Sequence, residues 1–128
     1  MQASKKIDFE TFYSNLFNKF PQLRENSVWT QWDWSNESCE QSVVISEVAG
    51  EMIKWAENEE WPLVEDLLTE VEAAFINGTN PVISFLGTDF TVTVMECRNS
   101  DVRKRIKQLM GDITLTAYQM NLRGYSEE

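Results

Sequence analysis

A proline at position 62 separates two segments whose apolar residues recur with the period of an α-helix. Trp61-Pro62 is typical of a helix start, because proline lacks an amide hydrogen and has the φ angle of the first helical turn. Ser38 and Gln41 have the spacing of a capping box, which predicts a preceding helix that begins there and ends near Asn58. We therefore predict an antiparallel helix pair with these core-facing residues: Val44, Ile45, Val48, Ala49, Met52, Ile53, Ala56, Leu63, Leu67, Leu68, Val71, Ala74 and Phe75.

The same two segments carry the net charge of the protein. Residues 37–72 hold eleven carboxylates and one base, Lys54, whereas the other 92 residues hold ten acids and ten bases. The formal charge of −10 therefore arises in this one part of the chain. A surface this acidic repels nucleic acid and anionic membranes, so we expect a partner with a basic surface and contact with neither nucleic acid nor membrane. Solubility is the alternative explanation of the same charges.

Length and composition predict one domain that covers residues 1–128. A chain of 128 residues can bury one core, and 42% apolar content with fifteen aromatic residues is too rich for a disordered protein. No apolar run approaches the roughly 18 residues of a membrane span, and the first residues lack a signal-peptide pattern, which predicts a cytoplasmic protein. Cys39 and Cys97 lack metal-ligand spacing, so we expect reduced core residues.

Three further helices and a loop follow from local signals. Asp8 and Pro21 bound an aromatic stripe of helical spacing, which indicates a first helix whose aromatic face is core. Residues 24–37 have no sustained period and indicate a loop. A cap at Asn99 or Ser100 predicts a fifth helix, and the apolar residues of 113–122 predict a last one. The fifth helix carries bases that we expect to be solvated or to contact the acidic pair: Arg103, Lys104, Arg105 and Lys107.

Residues 81–96 fit two different structures. Four apolar residues are spaced by four, as on a buried helix face: Val82, Leu86, Phe90 and Val94. Asn80-Pro81 is also a helix start, with the asparagine as N-cap. The alternation over 89–94 instead fits a β-hairpin that turns at Gly87-Thr88. The Asn-Pro start favours the helix, so we predict an all-α, single-domain bundle of about five to six helices, with an α+β fold containing a hairpin at 82–96 as the alternative.

The residues give no sign of catalysis. The chain has no histidine, which is the commonest general base and metal ligand. Adjacent acids such as Glu59-Glu60 and Glu65-Asp66 point about 100° apart on a helix, so they do not converge on a metal ion or substrate. Calcium-loop and phosphate-loop motifs are also missing from the sequence. We expect no enzymatic activity, no metal and no other cofactor.

The candidate binding site is therefore the turn between the two acidic helices. Trp61 would supply an aromatic anchor of the kind found at interface hot spots. Around it stand six carboxylates: Glu57, Glu59, Glu60, Glu65, Asp66 and Glu70. Trp32 and Asp33 in the loop extend the predicted surface. A solvated turn with a core tryptophan is the alternative.

The segment WPLVEDLLTEVEAAFINGTNPVISFLGTDFTVTVMEC, residues 61–97, resembles a family of small bacterial helical domains. These domains combine an acidic helix, a Gly-x-Asn-Pro-like turn and a hydrophobic helix containing Phe-Leu/Ile-Gly-Thr-x-Phe. Members look like immunity proteins of polymorphic toxin systems, of the contact-dependent or Rhs type. The resemblance implies an all-helical fold and neutralisation of one cognate toxin, and many such toxins have electropositive clefts. It implies no particular functional residues.

Three functions are compatible with these features. An immunity protein would occlude the active or substrate-binding surface of its toxin with the acidic patch. A nucleic-acid mimic that inhibits a DNA-binding or restriction protein would need carboxylates spread along an elongated surface, whereas the acids here are concentrated. An adaptor or chaperone subunit would instead expose an apolar groove. We expect the first of these, with the mimic as the alternative.

Overall fold

A computed structural model describes residues 6–25 and 41–125, and this part of the chain forms six helices and no strand. α4 is continuous but contains a π-helical turn, Leu86–Phe90, between the α-helical segments Asn80–Phe85 and Thr91–Met95. The other helices are α1 (Phe9–Lys19), α2 (Gln41–Glu57), α3 (Trp61–Asn77), α5 (Ser100–Leu109) and α6 (Asp112–Tyr125), with a short 3-10 turn (Pro21–Glu25) after α1. The predicted all-α bundle is confirmed.

Side-chain caps begin two of the helices where the sequence predicts them. The Asp8 carboxylate accepts a hydrogen bond from the amide of Thr11 at 2.9 Å, which satisfies an amide that has no partner inside α1. Asn99 accepts at 3.1 Å from the amides of both Asp101 and Val102 and so begins α5. The N-cap of α4 is Thr79 and not Asn80 as predicted, because the helix starts one residue earlier. The proposed cap Ser38 lies outside the described residues.

α4 is a helix and not the alternative hairpin, and its π turn explains the spacing of its apolar residues. In a regular α-helix, a spacing of four drifts about 40° per step around the axis. A π turn holds about 4.4 residues and drifts the opposite way, so the combined helix keeps the four-residue stripe on one side. All four residues of that stripe are fully buried: Val82, Leu86, Phe90 and Val94.

The threonines that suggested a strand are instead satisfied within α4. The hydroxyl of Thr91 donates to the carbonyl of Gly87 at 2.8 Å, and that of Thr93 donates to the carbonyl of Asp89 at the same distance. Hydroxyls bonded to the carbonyl four residues earlier are compatible with a helix and often bend it. The alternation of threonine with apolar residues is therefore a helical pattern here, and Thr91 is fully buried.

One core joins all of these helices. α2 and α3 pack as the predicted antiparallel pair, and α2 also packs along the π turn and the second half of α4. The backbone of Ile7 bonds to Asn77 and Thr79, which ties the start of α1 to the α3–α4 connection. The largest fully buried apolar side chains include Leu16, Phe20, Ile45, Met52, Leu67, Leu68, Leu86, Phe90 and Ile106. Cys97 is a buried free thiol.

No helix within these described ranges has both the length and the apolar character that crossing a membrane requires.

Candidate functional site

The turn between α2 and α3 is a Schellman motif with an unusual residue in it. The amide of Glu60 bonds to the carbonyl of Trp55 at 2.8 Å, and that of Glu59 bonds to the carbonyl of Ala56 at 3.0 Å. Glu59 has a φ of +62°, the left-handed conformation that usually belongs to glycine at this position. The two hydrogen bonds hold the turn rigid, and the acid is kept in a backbone conformation that disfavours it.

Five carboxylates project from this turn and the start of α3, and we call them the acidic turn: Glu57, Glu59, Glu60, Glu65 and Asp66. All five residues are exposed. Among the residues that the structure describes, no lysine or arginine nitrogen lies within 4.0 Å of their carboxylate oxygens. The acidic turn is therefore a concentration of negative charge in which no carboxylate forms a described salt bridge, and Asp66 alone has a described electrostatic interaction, with Lys19.

Other acids of the same helix pair have partners inside the fold. Glu70 accepts a hydrogen bond from the ammonium of Lys19 at 2.7 Å, which joins α3 to α1. This bond, together with the charge of Glu70 and a smaller contribution from Asp66, raises the pKa of Lys19. On α2, Glu51 lies 3.4 Å from Lys54. Glu70 was predicted to belong to the binding surface, and the structure places it in this interhelical pair.

Glu72 has a structural position that its sequence context does not reveal. Its carboxylate accepts from the amides of Ile113 and Thr114 at 3.0 and 2.9 Å, and from the Thr114 hydroxyl at 2.7 Å. It therefore caps the first turn of α6 from another helix. Burial alone would raise the pKa of Glu72, but the bonds from Thr114 and Ile113 outweigh it, so the pKa lies below its ordinary value.

Trp61 lies between the core and the basic helix α5. Its side chain is partly buried and packs against the core cluster. The guanidinium carbon of Arg105 lies 4.5 Å from the centroid of the Trp61 ring, a cation–π contact. Arg103 is also engaged, because it donates to the carbonyl of Cys97 at 2.7 Å. A partner at the acidic turn would therefore contact the ring of Trp61 together with Arg105, whereas the sequence predicts the Trp61 ring alone as the aromatic anchor.

The remaining predicted site residues, Trp32 and Asp33, lie outside the described residues, so their place relative to the acidic turn stays a prediction.

A second surface feature, which the sequence reasoning missed, is a groove between α3, α4 and α6. It has a volume of about 420 Å³ and is lined by residues that include Phe75, Ile83, Gly87, Ile113, Met120 and Asn121. The Asn121 amide donates to the carbonyl of Gly87 and, at 2.7 Å, to the Thr91 hydroxyl, so it fastens α6 to the π turn. The sequence contains a signal that could have indicated this groove, because residues 73–88 and 113–122 contain no charged residue.

Within residues 6–25 and 41–125, no three histidine, cysteine, aspartate or glutamate side chains are grouped as a metal site would require.

Comparisons with known proteins supply no relative. No family model matches the chain, and neither a curated protein nor a solved structure matches it. The resemblance of residues 61–97 to immunity proteins therefore stays a prediction.

Proposed function

We propose that the protein is an immunity protein, which binds a cognate bacterial toxin through the acidic turn and occludes a basic active or substrate-binding surface. The observation that carries the proposal is the group of five exposed carboxylates that forms no described salt bridge and stands on a rigid turn. Self-repulsion among such charges opposes folding, so their retention is explained if a cationic partner neutralises them. The resemblance of residues 61–97 supplies the class of partner.

The rigidity of the acidic turn supports a binding role. Because the Schellman hydrogen bonds and the first turn of α3 already order the backbone, association loses little conformational entropy there. A fixed negative surface also steers a basic partner over a distance, which raises the association rate by about 10- to 1000-fold at low ionic strength. The expected signature is fast association that slows as salt is added.

The internal use of the other acids supports a local docking surface over a nucleic-acid mimic. Glu51, Glu70 and Glu72 have partners within the fold, so they do not extend the charge of the acidic turn along the molecule. A mimic of the phosphate backbone would need a long row of free carboxylates. The acidic turn instead gathers five exposed carboxylates at one end of the α2–α3 pair, and none of them forms a described salt bridge.

The experiment is affinity capture followed by association kinetics. The wild-type protein is used as bait, captured proteins are identified by mass spectrometry, and the gene upstream of this one is examined for a long, repeat-containing toxin. Association of the captured partner is then measured by stopped flow for wild type and for Glu59→Lys/Glu60→Lys. We expect at least tenfold slower association of the variant in low salt, and a difference that shrinks in high salt.

The matched control is Glu10→Lys/Glu96→Lys, which makes the same change in net charge at two exposed positions outside the acidic turn, on α1 and after α4. It should change the association rate much less than the reversal in the turn. Equal rates for the two double variants would show that the acidic turn has no special part in docking. A partner without a basic surface would also contradict the proposal.

A further inference from the structure

The basic helix α5 lies beside the acidic turn, and Trp61 is the contact between them. Arg105 of α5 is exposed, and its guanidinium carbon lies 4.5 Å from the centroid of the Trp61 ring. Trp61 directly follows Glu60, and Glu65 stands one helical turn further along the same face of α3. This end of the α2–α3 pair therefore carries carboxylates and a guanidinium within one helical turn of the same tryptophan.

The bases of α5 contact neutral groups and not carboxylates. Residues 98–107 hold five of the eleven bases of the chain and only one acid. Besides the contact of Arg105 with an indole ring, Arg103 donates to a backbone carbonyl at 2.7 Å. The ammonium of Lys107 lies 5.8 Å from the centroid of the Tyr118 ring. In the described part of a chain with 21 acids, none of these five bases has a nitrogen within 4.0 Å of a carboxylate oxygen.

Arg105 is the base whose position best suits a carboxylate of a partner. Among the described residues, its guanidinium contacts the Trp61 ring and donates no hydrogen bond. A guanidinium on an aromatic face still presents N–H groups at its edge, where a carboxylate can accept two parallel hydrogen bonds. The contact with the ring also restricts the arginine, so binding there loses less side-chain entropy. Lys104, the neighbouring exposed base, has no such contact within the described ranges.

We propose that Arg105, held over Trp61, binds a carboxylate of the same toxin whose basic surface meets the acidic turn. The inference rests on the proposed function and adds to the partner an acidic residue at the edge of its basic surface. A protein docked on Glu60 and Glu65 also reaches the guanidinium beside Trp61, so one partner contacts both charges. Such a surface accepts one orientation, because a partner that is turned around places like charges together.

The test compares dissociation of the captured partner from Arg105→Glu and from its matched control, Lys104→Glu. Each change replaces an exposed base of α5 by an acid, so both alter the net charge and the long-range attraction of a basic partner equally. We expect Arg105→Glu to raise the dissociation rate about tenfold or more, because like charges then meet in the contact, and Lys104→Glu to change it by less than about threefold. Equal dissociation rates of the two variants overturn the inference.

Arg105→Met separates carboxylate binding from a purely structural role of the arginine. Methionine keeps an apolar stem over the Trp61 ring but has neither charge nor N–H donors. If Arg105 only shields Trp61, Arg105→Met dissociates at the wild-type rate and the inference is overturned; if Arg105 binds a carboxylate, we expect about fivefold faster dissociation. Circular dichroism confirms that each variant is folded.

The carboxylate itself is found by replacing acids on the contact surface of the partner with lysine, one at a time. One of these partner variants should restore slow dissociation from Arg105→Glu, because the exchanged charges then attract each other. If no replacement restores slow dissociation, the inference is overturned.

The kinetics distinguish failure of this inference from failure of the proposed function. If Glu59→Lys/Glu60→Lys slows association while Arg105→Glu dissociates like Lys104→Glu, docking at the acidic turn is supported and the carboxylate contact is overturned. If Arg105→Glu dissociates faster but the reversal in the turn has no effect, the role of the acidic turn is contradicted and the contact at Arg105 is supported. If the bait captures no partner, both proposals fail.

Discussion

Replacing Glu59 by glycine should stabilise the protein, although it removes a side chain from a turn that is central to the proposed function. Glu59 has a φ of +62°, and a residue with a Cβ in this left-handed region is strained by about 1–2 kcal/mol. Glycine has no such strain, but it loses more backbone entropy on folding, which costs about 0.4–1 kcal/mol. The difference predicts a net gain of about 0.5–1 kcal/mol in the free energy of unfolding of Glu59→Gly.

The control for this prediction is Glu60→Gly, which removes the same charge from the neighbouring residue. Glu60 has a φ of −91°, so glycine relieves no strain there and only the entropic loss remains, about 0.4–1 kcal/mol. The two variants therefore have the same net charge but opposite expected signs. Any gain that came merely from reduced repulsion in the turn would be common to both.

Urea denaturation followed by circular dichroism at equal protein concentration measures both free energies, and a thermal scan should place Glu59→Gly about 2–4 °C above wild type. If Glu59→Gly is no more stable than Glu60→Gly, the left-handed backbone is not a source of strain and the reasoning is refuted. If Glu59→Gly is more stable but binds the captured partner more slowly, the glutamate of the wild type lowers the stability of the fold and favours binding.

Two further predictions concern the polar contacts that join distant helices. Glu72→Gln should lower the free energy of unfolding by about 1 kcal/mol in urea titrations, with Glu65→Gln on the same helix nearly neutral, because only Glu72 caps α6. Folding lowers the pKa of Glu72, so the contribution of this carboxylate to the free energy of unfolding is fully present above the unfolded pKa of about 4.3 and is lost as the pH falls through the folded pKa. The difference in the free energy of unfolding between wild type and Glu72→Gln should therefore disappear over that pH range and stay constant above it. Asn121→Leu should destabilise by about 1–2 kcal/mol because the Gly87 carbonyl and Thr91 hydroxyl lose a donor, whereas Gln119→Leu at an exposed position of α6 should change stability by less than about 0.5 kcal/mol.

The features of the fold that were predictable from the sequence depend on neighbours along the chain. A cap such as Asp8 or Asn99 acts on amides two or three residues away, and Pro62 restricts the backbone of its own helical turn. The apolar stripes of α2 and α3 are likewise read from spacing alone. These local signals were enough to place the helices and the turn that connects the acidic pair.

The π turn of α4 could not be predicted in the same way. The four-residue spacing of its buried stripe was visible, but it was equally compatible with a regular helix. The Gly87 carbonyl accepts from the Thr91 hydroxyl within α4 and also from Asn121, which is 34 residues away in the sequence. Only the packing of α6 against α4 brings the two together, so this part of the fold depends on contacts that no local pattern contains.

The candidate site also combines features that the sequence predicts with features that depend on contacts between distant residues. The exposed carboxylates of the acidic turn follow from the position of the turn, and the sequence located them. The partners of Glu70 and Glu72 are 51 and 41 or more residues away, so the structural use of these two acids was not visible. The two uncharged segments were visible, but the groove exists because α3, α4 and α6 bring them side by side.

The cap that α3 provides for α6 has a consequence for sequence variation. A Cβ atom on Gly111 would lie 2.5 Å from the Cδ atom of Glu72, so any larger residue at 111 must displace the carboxylate from the amides that it caps. A shorter side chain at 72 would free that space but leave the first turn of α6 uncapped. Positions 72 and 111, nearly 40 residues apart, are thus coupled, and drift at one of them should be tolerated only with a compensating change at the other.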